Sequence, residues 1–201
     1  SGEFWCPTPG PAPLGADVEV RHGLGYTTWR QQRDGLEHEL TLFVPPEDPL
    51  RVMRLKIRNT GQHPRRLAVY GYNRWVLGST PEFTRTTVRS EFSPAFQAVM
   101  AQNEAPPDGH ACIAFAATDR TLVDGWCADR AAFLGVPGSP EAPAALLGNG
   151  QLSRTSGHDP CAVLQVILEI PPGASDEVSF LLGACASERE IAAVLARFRA
   201  P

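Results

Sequence analysis

Lysine is all but missing from these 201 residues: Lys56 stands alone beside 17 arginines, a compositional bias rather than a binding signal. Basic residues are also the minority, 18 against 22 acidic ones, for a formal net charge of −4 and an isoelectric point near 5.7. With no basic field to hold a polyanion, nucleic acid is not an expected partner. Cysteine is sparse and unpaired in pattern. Cys6, Cys112, Cys127, Cys161 and Cys185 form an odd, scattered set without a CxxC pair, which argues against a disulfide framework and against structural zinc. Buried free thiols in a reducing, cytoplasmic setting are the expectation. No apolar run approaches the roughly 18 residues of a membrane-spanning helix. No charged-then-apolar leader opens the chain, so neither a membrane span nor a signal peptide is expected in this segment.

What is present is a globular composition, 43% hydrophobic and 20% charged, long enough for one large β domain. Residues 1–16 read as a proline-rich lead-in of linker type, Trp5-Cys6-Pro7-Thr8-Pro9-Gly10-Pro11 leading it. Residues 17–185 read as the β domain. Leu36, His38, Leu40, Leu42 and Val44 alternate with Glu37, Glu39 and Thr41, and Met53, Leu55 and Ile57 alternate with Arg54, Lys56 and Arg58. This period of two marks half-buried strands. Asn59-Thr60-Gly61-Gln62 reads as a turn, and Arg65–Gly78 as a long strand. Weaker strands are predicted at Arg85–Phe92, Ala95–Gln102, Ala111–Ala117 and Thr121–Cys127, then an irregular stretch from Leu134 to Asp159. Cys161–Ile170 and Glu177–Gly183 close the set around Pro171-Pro172-Gly173. Residues 186–201 read as a helix: Ser187 and Glu190 form a capping box, and Ile191, Val194, Leu195 and Phe198 make one apolar stripe that must dock on something. The fold class is therefore all-β, a large antiparallel sandwich with a C-terminal helix.

The chemistry-bearing signatures are mostly missing too. No GxSxG, Walker A, HExxH or dinucleotide motif occurs, and no cofactor is expected of this chain. His22, His38, His63, His110 and His158 are dispersed, with His38 on an apolar strand face as a hydrogen-bonded core histidine would be. His158-Asp159-Pro160 offers an acid–base pair, although Asp-Pro is also an ordinary strand-entry turn. Sugar cleavage needs paired carboxylates. The nearest pair, Glu37 and Glu39, lies on the face opposite the apolar set, so no catalytic residue is assigned. Two segments mix aromatic rings with polar and guanidinium groups: Arg21-His22-Gly23-Leu24-Gly25-Tyr26-Thr27-Thr28-Trp29 and Tyr70-Gly71-Tyr72-Asn73-Arg74-Trp75. Rings can stack on the C–H faces of sugars while Arg and Asn reach the hydroxyls. Tyr26, Trp29, Arg74 and Trp75 are thus candidate carbohydrate contacts, with burial in a strand core the alternative.

In order along the chain, Gly2-Glu3-Phe4-Trp5, Arg21–Thr27, His38–Pro49, Arg54-Leu55 with Asn59, Arg65-Arg66-Leu67, Trp75–Gly78, Phe133-Leu134-Gly135, Asp159–Gln165 and Phe180–Gly183 resemble one family. It is the N-terminal β-supersandwich domain of glycoside hydrolase family 94 (glycosyltransferase 36 type), with the phosphorylase-like module of cyclic β-1,2-glucan synthases as the nearest branch. The resemblance implies a galactose-mutarotase-like supersandwich, followed in the same polypeptide by an (α/α)6 barrel holding the general acid and the inorganic phosphate. It also implies a glucan or oligosaccharide ligand, a part in homodimerisation, and a terminal helix leading toward the barrel. Any inner-membrane anchor of the parent would lie in other segments. Departures from the branch are Arg74 where a Glu is usual, Gly135-Val136-Pro137-Gly138 for Gly-Arg-Asn-Gly, and Gln102-Asn103-Glu104 for Arg-Asn-Pro.

Three functions follow: a substrate-shaping domain of a phosphorylase-like enzyme, an autonomous carbohydrate-binding module, and a hydrolase working through His158 and Asp159. The redox reading is directly testable. All five cysteines should react with a thiol reagent after denaturation without reductant, and a shortfall of two would reveal a disulfide and remove the cytoplasmic argument.

Overall fold

Alternation in the sequence becomes antiparallel pairing in the computed structural model, which describes residues 3–13, 15–106, 109 and 111–200. Eleven strands run in chain order: β1 Glu19–Gly23, β2 Tyr26–Arg33, β3 Leu36–Phe43, β4 Leu50–Asn59, β5 Arg65–Arg74, β6 Val88–Ser93, β7 Ala98–Asn103, β8 Ile113–Thr118, β9 Gly125–Asp129, β10 Pro160–Ile170 and β11 Ser175–Cys185. Eight form one sheet in the order β1-β2-β3-β4-β11-β8-β7-β6, and three form a second in the order β5-β10-β9. Helix α4 spans Glu188–Phe198, and single turns α1 (Pro81–Thr84), α2 (Arg130–Leu134) and α3 (Ala144–Leu147) punctuate the loops. The expected all-β sandwich with its C-terminal helix is what the chain forms. Among the described residues no helix is long and apolar enough to cross a membrane.

The layers follow from which face each strand hides. Leu55, Ile57 and Val178 from the large sheet meet Val166, Leu168 and Ile170 from the small one, and Ala114 and Ala116 meet Ala162 and Leu164 further along. The small sheet is covered on its other side by Phe133 and Leu134 of α2, which pack on Cys127, Cys161 and Val163. That is why the first half of β10 is buried on both faces and loses its alternation. The outer face of the large sheet carries α4. Its stripe Ile191, Val194 and Leu195 packs on Leu50, Val52, Phe115 and Leu181, with Phe198 at the margin. The stripe that had to dock therefore docks on its own domain rather than standing free for a neighbour.

Two crossings take the chain between sheets at one end, β4 to β5 and β10 to β11, and a fully buried Asn59 ties them together. Its amide nitrogen donates to the carbonyls of His63 (2.8 Å) and Ile170 (2.9 Å), its side-chain oxygen accepts from Gly61 N–H (3.0 Å), and its backbone N–H donates to Ala174. The turn expected at residues 59–62 is thus built around one side chain.

Four expectations change in position or kind. β1 and β2 were not predicted as strands, yet Asp34 and Gly35 between β2 and β3, at φ of 50° and 75°, form the two-residue type I′ turn that suits a hairpin. β5 ends at Arg74, four residues short of the predicted Gly78. The lead-in is no free linker: Trp5 packs beside Leu36 and Leu40 and meets His38 edge-on, with ring centroids 5.6 Å apart, and Glu3 pairs with Arg33. It joins the same cluster that residues of the three-stranded sheet enter. His38 is buried as expected, but neither ring nitrogen has a hydrogen-bond partner among the described residues, nor does the amide of Gln31 directly across from it. His110 lies outside the described residues.

Two measurements check this architecture. Asn59→Ala orphans the amide of Gly61 and the carbonyls of His63 and Ile170, a loss of about 3 kcal/mol and a fall in Tm of roughly 6–12 °C. A Tm within 2 °C of the parent's, on the order of the shift for less than 1 kcal/mol, would show that Asn59 does not hold the crossings. Burial lowers the His38 pKa below the ordinary 6.5, so below that pH the unfolded chain takes up a proton that the folded chain refuses. This part of the stability is intact above about pH 6.5 and declines as the pH falls through the lowered pKa. His38→Leu should flatten the decline in urea midpoints measured down to about pH 5, and an unchanged slope would acquit His38.

Candidate functional site

Side-chain parity decides the fate of the four nominated sugar contacts. Tyr26 and Trp29 are three residues apart on β2, so they point to opposite faces of the large sheet. Trp29 is partly buried against the inter-sheet core. Tyr26 faces outward at 48% exposure, its ring lying over Gly23, where any Cβ would overlap it. Trp75 is only 6% exposed, and its indole N–H donates to Ser90 Oγ (3.0 Å), which in turn donates to the Cys161 carbonyl (2.9 Å). It is a core residue with its polar handle satisfied, which corrects its nomination as a contact. Arg74 is exposed at the end of β5, in the other sheet. The four do not form one platform.

The structure instead assembles a cleft at the far end of the three-stranded sheet. It has a volume of about 370 Å³ and is lined by Arg85, Asp129, Arg130, His158, Asp159 and the Gly135–Gly138 turn with Ala131. Local rules place each group. Asp129 ends β9 and caps α2, one carboxylate oxygen accepting from the amides of Ala131 (2.8 Å) and Ala132 (3.1 Å). Its other oxygen rests against the Cα of Gly157, where no Cβ would fit. Arg130 donates its backbone N–H to the Asp159 carbonyl (2.7 Å) and its Nε to Asp159 Oδ2 (2.8 Å), with Nη2 forming the ion pair to the same oxygen at 2.8 Å. This pair is largely shielded, with side-chain exposures of 30% and 18%, and the hydrogen bond that Arg130 donates to Asp159 raises the Arg130 pKa above its ordinary value. Below it, the Tyr72 ring stacks on Phe133 at 5.5 Å, and burial pushes its hydroxyl up to about 12. Arg130, Arg74 and Asp159 all act electrostatically on Tyr72, so Arg74 belongs to this end of the molecule.

The His158–Asp159 acid–base pair suggested by the sequence is not formed. Asp159 turns to Arg130, and His158, exposed, makes no side-chain hydrogen bond among the described residues. Asp129, Arg130 and Arg85 were not nominated from the sequence. An Asp at a strand end before Arg-Ala-Ala is a legible helix cap, but its meeting with residues 157–159 depends on β9–β10 pairing. Two departures from the family pattern, at Arg74 and at Gly135–Gly138, come to the same end of the fold.

The chain has clear relatives. It is 35% identical over 184 residues to the cyclic beta-(1,2)-glucan synthase NdvB of Rhizobium meliloti (strain 1021), a match covering 90% of this chain and 6% of that protein. It is 25% identical over 191 residues to the N,N'-diacetylchitobiose phosphorylase of Vibrio furnissii, covering 91% of this chain and 24% of that one. The chain therefore spans a small part, a quarter or less, of these relatives' lengths. Among solved structures, a galactose mutarotase related enzyme from Lactobacillus acidophilus superposes with a TM-score of 0.48 at 9% identity, covering 85% of this chain and 71% of that one. The model of the glycosyl hydrolase 94 supersandwich domain matches residues 1–201 from end to end, and the chain belongs to that family.

Proposed function

We propose that this chain is the non-catalytic, substrate-shaping sandwich of a phosphorylase-like carbohydrate enzyme, of the cyclic β-1,2-glucan synthase type, and that it contacts glucan directly. The observation that carries this reading is the end-to-end family match together with 35% identity to a glucan synthase. Inverting cleavage requires a positioned acid with a base or a bound phosphate. In the cleft, Asp159 is committed to Arg130 and Asp129 to capping α2, which supports assigning the chemistry elsewhere. In this reading an (α/α)6 barrel of the parent polypeptide supplies the acid and binds inorganic phosphate, and the sandwich joins it in building the site and in homodimer contacts. A reducing, cytoplasmic setting belongs to this reading on the odd, scattered cysteine pattern of the sequence.

The purified chain, incubated with β-1,2-glucan or cellobiose and phosphate, should release no glucose 1-phosphate above buffer. Turnover that disappears in Asp159→Asn would overturn the reading in favour of a self-contained enzyme. Calorimetric titration with β-1,2-linked gluco-oligosaccharides should show weak binding, with Kd on the order of millimolar. No heat up to concentrations about tenfold higher would remove direct glucan contact from this function.

A further inference from the structure

The cleft has properties that the assignment to a family does not explain. Two glycines build its walls from backbone, and a third backs the Asp129 carboxylate. Gly135 sits at φ 89°, a Cβ on Gly138 would press into the carbonyls of Leu134 and Gly135, and Gly157 leaves no space beside Asp129. The turn they fix holds Val136 out at 84% exposure next to Pro137, an apolar surface left in water at the mouth of a concave site. Facing it are groups with hydrogen-bonding capacity still open. Arg85 and His158 make no side-chain hydrogen bond or ion pair among the described residues, and Asp159 meets Arg130 through Oδ2 alone, leaving Oδ1 to accept. From these features we infer that the cleft is a subsite for one neutral sugar unit of a glucan. Val136 and Pro137 pack on a C–H face, Arg85 and His158 donate to hydroxyls, and Asp159 accepts from one.

Three arguments favour an uncharged polyol over an anion. Arg85 and Arg130 are matched in charge by Asp129 and Asp159 in the same lining, so no net positive field draws an anion in. A carboxylate acceptor facing the ligand would repel a phosphate but suits a hydroxyl, which both donates and accepts. The volume of about 370 Å³ lies at the small end of ligand sites, roughly 300–1,000 Å³, where a single ring with part of its neighbour fits. The cradle is preorganised: the Arg130–Asp159 pair and the Asp129 cap fix the polar wall before any ligand arrives.

This inference rests on the reading of the chain as a glucan-contacting domain, and one experiment separates the two. The full chain, labelled with ¹⁵N, is titrated in separate runs with the β-1,2-linked glucose disaccharide sophorose and with inorganic phosphate. Sophorose should shift the amides of residues 129–138 and 157–159. Arg85→Ala and His158→Ala, both at exposed positions without side-chain partners and so expected to fold, should each weaken binding about five- to tenfold. Val136→Asp should do the same, with Tm confirming the fold of each variant. Shifts confined to β1 and β2 around Tyr26, or variants that bind like the parent, would overturn the subsite while leaving glucan contact intact. Phosphate moving the cleft amides in place of sophorose would overturn the neutral-sugar assignment. No response to sophorose at all would overturn both the subsite and the glucan-contacting reading beneath it.

Discussion

A single buried amide, Asn59, sets the relation between the two sheets. It is 0% exposed and makes hydrogen bonds to β10 and to both the turn after β4 and the turn before β11. A buried amide with unmet bonds is costly, so the position is stable only when both crossings are closed. From that anchored end, β10 pairs antiparallel with β5 over ten residues, from Ile170 opposite Arg65 to Cys161 opposite Arg74. The far end of the same strand then delivers Asp159 to Arg130, through an irregularity in the β9 pairing between Pro160 and Val163. Bulges of this kind turn side chains at strand ends toward sites. Geometry is handed along the strand from the anchor to the cleft.

The large sheet handles its exposed area differently. In direct register across β1, β2, β3, β4 and β11 lie Glu19, Arg30, Glu39, Lys56 and Glu177, signs alternating at every step. Arg30 and Glu39 meet at 2.6 Å and Arg58 reaches Glu37 at 3.6 Å. Each exposed pair contributes little to stability, but opposite charges across strands favour this register over a slipped one. This also explains Glu37 and Glu39. They are rungs in a charge lattice with basic partners, and the solvated face inferred from alternation is where they sit. The sole lysine stands in this row too, between two glutamates.

Legibility in the sequence tracked how local the determining physics was. β3, β4, the second half of β10 and the middle of β11 bury one face, and their alternation reads directly. The α4 capping box is local, and Ser187 does accept from Glu190 N–H. β1 has no buried residue and β2 only Thr28 and Gln31, so hydropathy is silent there, and the Asp34-Gly35 turn was the signal to use. Trp75 could not be distinguished from a surface platform by sequence, because its polar handle is met by Ser90, 15 residues away, which is itself bonded to Cys161, 71 residues further on. The lead-in looked like a linker because proline excludes regular pairing. Only the packing of Trp5 against the Leu36 and Leu40 cluster and His38 reveals its role.

The same division explains where a ligand contact can form. On a strand, a side chain that faces the sandwich is claimed by the core, and neighbours alternate, so Tyr26 with Trp29 or Arg74 with Trp75 cannot present a continuous surface. Loops escape that constraint. Residues 130–138 and 157–159 are tied to each other by Asp129, by Arg130 and by glycines that admit close backbone approach, which gives them strand-like rigidity without strand-like parity. Several arginines elsewhere are held by structure: Arg199 donates to the carbonyls of Thr118 and Phe96, Arg120 to Asp176 and Glu177, and Arg65 to Asp34. At the cleft end, Arg74 and Arg85 make no side-chain bond among the described residues, although such side chains lose considerable rotamer entropy when ordered. A rigid backbone cradle beside exposed guanidinium and imidazole groups is an arrangement that folding alone does not require, and the proposed sugar subsite is the use for it argued above.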